Sequence, residues 1–171
     1  MMENDGQLFD EAYREHRHSI RAFFFGHTQN DDVAADLVQE TYLRVWRHIE
    51  TLRHIPVERR RFWLFAIAKN TLADYYRRRS VRDRYETRML EYRLAGGSDP
   101  ERKIENGETL VAVNEAIKRL PENLREVLAL HTMADMSSAE IGEVLGRPAG
   151  TIRYQLSQAR KMLNELLGSS E

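Results

Sequence analysis

Cysteine is absent from the 171 residues, which removes disulfides, thiolate zinc sites and a cysteine nucleophile and fits a reducing cytosol. Proline and glycine are sparse, at 4 and 9 residues, while charged residues reach 31%. That mixture favours helices over a strand-and-turn architecture. An excess of one charge sign is also missing: the formal net charge is −1, so any case for nucleic acid must rest on local charge. No apolar run approaches a membrane span, and Met1 to Gly6 is acidic and polar, unlike a signal peptide. The chain therefore reads as soluble and cytoplasmic, with no membrane insertion of its own.

Catalytic signatures are lacking too. No Gly-rich phosphate loop follows a strand pattern and no nucleophile elbow occurs. The histidines, His16, His18, His27, His48, His54 and His131, include no pair at metal-ligand spacing beside a carboxylate on one helix face. The expectation is a protein without enzymatic activity, metal or cofactor.

What is present is helical periodicity. Leu8, Phe9, Ala12, Tyr13, Ile20, Phe23 and Phe24 recur at three- and four-residue steps. The turn-rich stretch from Gly26 to Asp32 follows, with Asp31 or Asp32 expected to cap a second helix running to about Glu50. Pro56 and a stretch from Thr51 to Arg61 with four arginines predict a basic loop, before a third helix from about Phe62 through Arg79 or beyond. The densest breakers, Gly96-Gly97-Ser98-Asp99-Pro100, mark a domain boundary, and Ile104 to Gly107 continues the break. This predicts an all-α chain of two small helical domains, 1–95 and 109–171, joined by a linker at 96–108.

In the second domain, Leu110, Val113, Ile117 and Leu120 predict one short amphipathic helix, and Leu124, Val127, Leu128 and Leu130 a second. Ser137-Ser138-Ala139-Glu140 is a capping box for a third. Gly146 suits its left-handed cap and Pro148 the first turn of a last helix reaching Leu167. Two helices joined by a tight Gly-Arg-Pro turn make a helix-turn-helix. In the last helix Ile152, Leu156, Ala159, Leu163 and Leu166 share one side. Arg153, Tyr154, Ser157, Gln158, Arg160 and Lys161 take the other, a face of donors and cations suited to phosphates and base edges in a major groove. Arg147 and Thr151 stand at its leading end.

Two other faces stand out. On the second helix Asp36, Gln39, Glu40 and Arg47 line a polar arc around Leu43, a protein-contact pattern. On the third, with Leu64, Ile67, Ala68, Thr71, Leu72 and Tyr75 inward, the outer side carries Phe62, Trp63, Lys69, Asn70, Tyr76 and Arg77. Rings beside cations suit single-stranded nucleic acid, though Phe62 and Trp63 equally suit core anchors at a helix start. Arg77-Arg78-Arg79, Arg82 and Arg84 add local positive charge.

These strings resemble the extracytoplasmic-function sigma factors of bacterial RNA polymerase, within the sigma-70 family. Asp36-Leu37-Val38-Gln39-Glu40-Thr41-Tyr42-Leu43-Arg44-Val45-Trp46 is similar to that family's polymerase-binding helix. Phe62-Trp63-Leu64-Phe65-Ala66-Ile67-Ala68-Lys69-Asn70, followed by Asp74-Tyr75 and arginines, is similar to its promoter-melting helix. Leu120 to Val127 and the helix-turn-helix resemble its C-terminal DNA-binding domain.

The resemblance implies a promoter-specificity subunit for transcription initiation that leaves RNA synthesis to the polymerase. Asp36, Gln39, Glu40, Leu43, Arg44 and Arg47 would face the beta-prime clamp helices, and the C-terminal domain the beta flap. Arg59, Arg60 and Arg61, with Phe62, Trp63, Lys69, Asn70, Asp74, Tyr76 and Arg77, would handle the minus-10 strand, the loop holding a flipped base. Arg147, Thr151, Arg153, Tyr154, Ser157, Gln158, Arg160 and Lys161 would meet the minus-35 duplex. The stretch from about Ser80 to Gly107 would thread the polymerase. An anti-sigma factor, releasing these surfaces on a stress signal, is implied as a further partner. The last helix departs from the family by holding Tyr154, Gln155 and Gln158 where further basic residues are common, and Gln158 has the geometry to read adenine. A stand-alone helix-turn-helix regulator with an N-terminal dimerisation or sensing domain is the alternative.

Overall fold

The computed structural model describes residues 2–90 and 108–168, which form eight α-helices. Among the described residues there is no strand. Helix α1, Met2–Thr28, carries the expected apolar stripe. Its C-terminus is followed by Gln29 at φ 53, a left-handed residue that turns the chain into α2, Asp31–Arg47. The cap of α2 is Asn30 rather than either aspartate: Asn30 is extended and its side chain accepts from the Val33 N–H at 3.0 Å. Asp31 instead meets Arg21 at 2.7 Å.

The expected basic loop is mostly helix. Short α3, Ile49–His54, and long α4, Val57–Leu90, leave only Ile55 and Pro56 between them. Proline ends α3 because it disfavours helix in the residue before it, yet its own fixed φ and free carbonyl suit the start of a new helix. The Pro56 carbonyl accepts from the Arg59 N–H at 2.9 Å. Helix α4 then runs past Arg79 and includes residues 80–90 of the stretch expected to thread a partner. Residues 91–107, holding the boundary cluster, Ile104 to Gly107 and nearly all of the 96–108 linker, lie outside the described residues.

The second half comprises α5, Glu108–Arg119, α6, Glu122–Thr132, α7, Ser138–Leu145, and α8, Ala149–Gly168. The capping box at Ser137 is formed in both directions: the Glu140 N–H donates to the Ser137 hydroxyl at 3.3 Å, and the Ser137 N–H to Glu140 Oε2 at 2.8 Å. Gly146 takes φ 69, and the Arg147 N–H returns to the Gly142 carbonyl at 2.8 Å, closing a Schellman turn.

The two halves share one core. Phe23, Phe24, Leu64 and Phe65 from the first half and Val127, Leu130, Ile141, Val144, Ile152 and Leu156 from the second belong to one continuous buried cluster. A smaller cluster of Leu120, Leu124, Leu128 and Ala159 holds α5, α6 and α8 together. Periodicity reveals which side of a helix is apolar but not which helix covers it, so the contact between the two helical domains was not readable from the pattern.

Gly142 needs space rather than torsional freedom. A Cβ there would lie 2.5 Å from the Arg147 carbonyl, inside the helix-turn-helix. Gly142→Ala is expected to destabilise the chain by about 1–3 kcal/mol, the range for overpacking. Urea unfolding followed by circular dichroism checks this, and an unchanged midpoint would contradict it.

Candidate nucleic-acid interface

Helix α2 presents the clearest outward apolar patch. Leu43 is 59% exposed and Trp46 45%, flanked by the exposed Asp36, Gln39 and Arg47. Leu37, Val38, Thr41, Tyr42 and Val45 are buried on the other side, so the helix has no freedom to turn the patch inward. Trp46 stacks edge-on against Phe9, with ring centroids 5.3 Å apart. The contact-residue set drawn from the sequence omitted Trp46, although its exposure beside Leu43, one helical step on, was a readable signal.

Arg44 and Glu40 behave differently from their neighbours. Arg44 bridges Glu40 at 2.6 Å and Asp74 of α4 at 2.7 Å, and Arg78 reaches Glu40 at 2.9 Å. Arg44 and Asp74, expected on two separate surfaces, are thus partners in one tie between α2 and α4. Hydrogen bonds and opposite charge hold the Asp74 carboxyl below the usual range, Arg44 first among them. Arg78 is a part of this network that the sequence reading left out.

The minus-10 set is divided. Arg59, Asn70 and Arg77 are exposed, the Arg59 guanidinium lying 5.9 Å from the Phe62 ring centroid. Phe62 and Trp63 are half-buried and pack against the core, which satisfies the anchor reading of these rings. Arg60 turns to Glu11 of α1 at 3.5 Å. Arg61 and Tyr76 reach the second half, Tyr76 while still exposed. Arg61 Nη1 is 2.9 Å from Glu140 Oε1; the Tyr76 hydroxyl lies 3.2 Å from Glu122 Oε1 and 3.3 Å from the His27 carbonyl. Burial pushes the Lys69 amine below its usual pKa, opposed by Glu126 and assisted by Arg147. Burial, then Glu122, raises Tyr76 to about 12, and Glu140 is held down at about 2 by the Ser137 backbone N–H and then by Arg61.

On α8, Thr151, Arg153, Ser157, Arg160 and Lys161 are exposed, Tyr154 is 65% exposed, and Gln158 is half-buried. Ile152, Leu156 and Ala159 are buried behind them. Arg147, expected to join this face, instead pairs with the buried Glu126 at 2.9 Å.

Glu126 is the centre of the contact between the halves. Its second partner is His27 Nε2 at 2.8 Å, while His27 Nδ1 lies 2.5 Å from Glu122 Oε1. Burial opposes charging of His27, but hydrogen bonds and charge from Glu126 and Glu122 outweigh it, and its pKa is raised. The ring also packs edge-on against Phe23, centroids 4.8 Å apart.

Comparison with known proteins identifies the family. Residues 12–82 match Sigma-70 region 2 and residues 110–163 match Sigma-70, region 4. The ECF RNA polymerase sigma factor EcfG of Rhodopseudomonas palustris is 31% identical over 151 residues, 87% of this chain and 79% of that one. SigM of Bacillus subtilis, also an ECF RNA polymerase sigma factor, is 26% identical over 158 residues, 92% of this chain and 93% of its own. Two solved structures share the fold. The sigma factor RpoE of Bartonella quintana, in complex with the anti-sigma factor NepR, has a TM-score of 0.64 and 23% identity, covering 95% of this chain and 98% of that one. CnrH in complex with the cytosolic domain of CnrY has a TM-score of 0.57 and 25% identity, covering 100% of this chain and 92% of that one. A match to region 2 before the helix-turn-helix removes support from the stand-alone regulator.

The raised His27 pKa has a defined sign. Stability from the protonated ring is fully present below its ordinary value of about 6.5 and is lost as pH rises through the raised folded value. The chain is therefore expected to lose more stability between pH 6 and pH 8 than His27→Gln does. Urea midpoints at both pH values measure this; parallel losses in the two proteins would refute the linkage.

Proposed function

The chain belongs to the extracytoplasmic-function sigma factors of the sigma-70 family, and we propose a division of labour among its three outward faces. It directs core RNA polymerase to promoters, and the chemistry of RNA synthesis stays with the polymerase. The observation that carries the assignment is the Leu43 and Trp46 pair standing out of α2 between Asp36, Gln39 and Arg47. An exposed apolar centre inside a polar rim is the composition of a protein-binding hot spot. Its occupant in this reading is the clamp-helix pair of the polymerase. Glu40 and Arg44 support the surface from beneath through Asp74 rather than making the main contacts.

Arg59, Asn70, Tyr76 and Arg77 of α4 serve the minus-10 strand, with Arg61 and Lys69 beside them. Stacking and cations bind single strands without needing a paired partner. Helix α8 enters the minus-35 major groove: Arg153, Arg160 and Lys161 anchor on phosphates, and Tyr154, Ser157 and Gln158 face the bases. The C-terminal domain also meets the beta flap. No described helix is long and apolar enough to cross a membrane, and this reading puts the protein in the cytoplasm beside the polymerase. An anti-sigma factor is its natural antagonist in this reading, in line with NepR on the RpoE of similar fold.

Run-off transcription over a genomic library, with core polymerase and with or without this chain, tests the whole reading. Chain-dependent initiation is expected, and its absence would overturn it. Leu43→Asp is expected to weaken core binding by about 2 kcal/mol or more, roughly thirtyfold, with helicity unchanged. Unaltered affinity would remove Leu43 from the interface.

A further inference from the structure

Helix α8 carries its guanidinium groups on one side only. Ile152, Leu156 and Ala159 set its buried direction. At about 100° per residue, Arg153 and Arg160 fall on one flank of the outward face, and the uncharged Thr151 and Gln158 on the other. Arg160 is held to its flank by α6: its Nη2 lies 3.4 Å from His131 Nε2, and His131 Nδ1 lies 3.0 Å from the Met136 carbonyl oxygen. A carbonyl can only accept, so Nδ1 carries the hydrogen and Nε2 of the neutral ring accepts from the guanidinium.

Tyr154 stands between the flanks, within about 15° of the direction opposite the buried stripe, and is 65% exposed. The first turns of a recognition helix are the ones that reach base edges, and among the side chains of those turns Tyr154 points most directly outward. A Cβ on Gly150, one turn before it, would meet only Arg153 Nη2, at 3.9 Å, so the ring has open space beside it. Lys161 shares the direction of Tyr154 but sits two turns further along, 4.0 Å from Glu165.

The chemistry of a phenol ring at that position selects among the bases. In the major groove guanine offers two acceptors, which a two-donor cation meets; adenine offers an acceptor and a donor, which an amide meets; cytosine offers a donor. Thymine alone presents a methyl group. Tyr154 has neither a fork of donors nor an amide, and its apolar ring area matches the methyl. Phosphates line the walls of the groove, where the flanks of the helix point, whereas the outermost side chain meets the floor.

We propose that Tyr154 is a specificity-determining residue for promoter choice: its ring packs on the 5-methyl group of one thymine in the minus-35 element, with Arg153 and Arg160 fixing the register. This rests on the assignment of α8 to that duplex. The methyl contact involves no charge, so added salt weakens binding through the flanks and leaves the preferred base unchanged.

The test uses core polymerase with the full chain, at sub-saturating concentration, on a promoter found by run-off transcription. Its upstream element is randomised and each template carries a transcribed barcode, so that initiation is counted sequence by sequence. The wild type is expected to prefer thymine at one position by about fourfold or more, the transfer free energy of one buried methyl group. Tyr154→Ala is expected to lose the preference at that position alone, and Tyr154→Phe to keep it. Deoxyuridine placed there removes only the methyl group; it is expected to cost the wild type the same roughly fourfold and Tyr154→Ala nothing. With 5-methylcytosine there, the wild type is expected to initiate more often than with cytosine.

Three results would each overturn the role of Tyr154 while leaving the sigma-factor reading in place: no thymine preference that depends on Tyr154, a uniform loss over all sequences in Tyr154→Phe, or equal initiation by the wild type from deoxyuridine and thymine templates. The second would mark the hydroxyl as a phosphate contact. Absence of chain-dependent initiation from every template removes the sigma-factor reading itself, and this inference with it.

Discussion

The crossing of α1 and α6 at Gly26 is the contact on which the rest of the arrangement hangs. With backbones in contact there, the Gly26 carbonyl meets Arg125 and His27 reaches Glu122 and Glu126 together. Glu126 is 4% exposed, and a buried carboxylate is tolerated only when cations and hydrogen bonds surround it; His27 and Arg147 supply both. Glycine inside a helix costs about 0.5–1 kcal/mol relative to alanine. Here that cost is offset by burying Phe23, Phe24 and Phe65 with Val127 and Leu130 in a common core.

A second tie works within the first half. Arg44 holds Glu40 of its own helix and Asp74 of α4, with Arg78 on the far side of Glu40. These groups are partly exposed, so the network contributes modestly to stability. Its effect is on position: it fixes the angle of the helix carrying Leu43 relative to the helix carrying Asn70 and Arg77. A protein partner seated on α2 is thereby held at a set distance from the side of α4 that carries Asn70 and Arg77.

What could be read in the sequence was local. The capping box at Ser137, the left-handed Gly146, the inward stripe of α8 and the apolar Leu43 in a polar arc each depend on residues within a few turns. Features spanning the halves were not readable, because a charge on a helix carries no mark of its distant partner. Arg61 with Glu140 and His27 with Glu126 join residues 79 and 99 positions apart. The same limit explains Arg147, which the sequence groups with the minus-35 face and which is held by Glu126. Pro56 misleads in another way: with the arginines around it, it predicts a basic loop over Thr51 to Arg61, when it ends one helix and begins the next.

The near-zero net charge, which by itself makes no case for nucleic acid, takes on a different sense once the pairing is known. Arg61 is met by Glu140, Arg147 by Glu126, Arg78 by Glu40 and Arg44 by Asp74, so cations that could attract phosphate are balanced inside the molecule. Phosphate affinity grows with the number of cations free to displace counterions. A chain whose cations are internally balanced makes few non-specific contacts while alone and gains local positive charge only where a pair is broken. Net charge sums over these pairs and so conceals the exposed cations of α8, Arg153, Arg160 and Lys161.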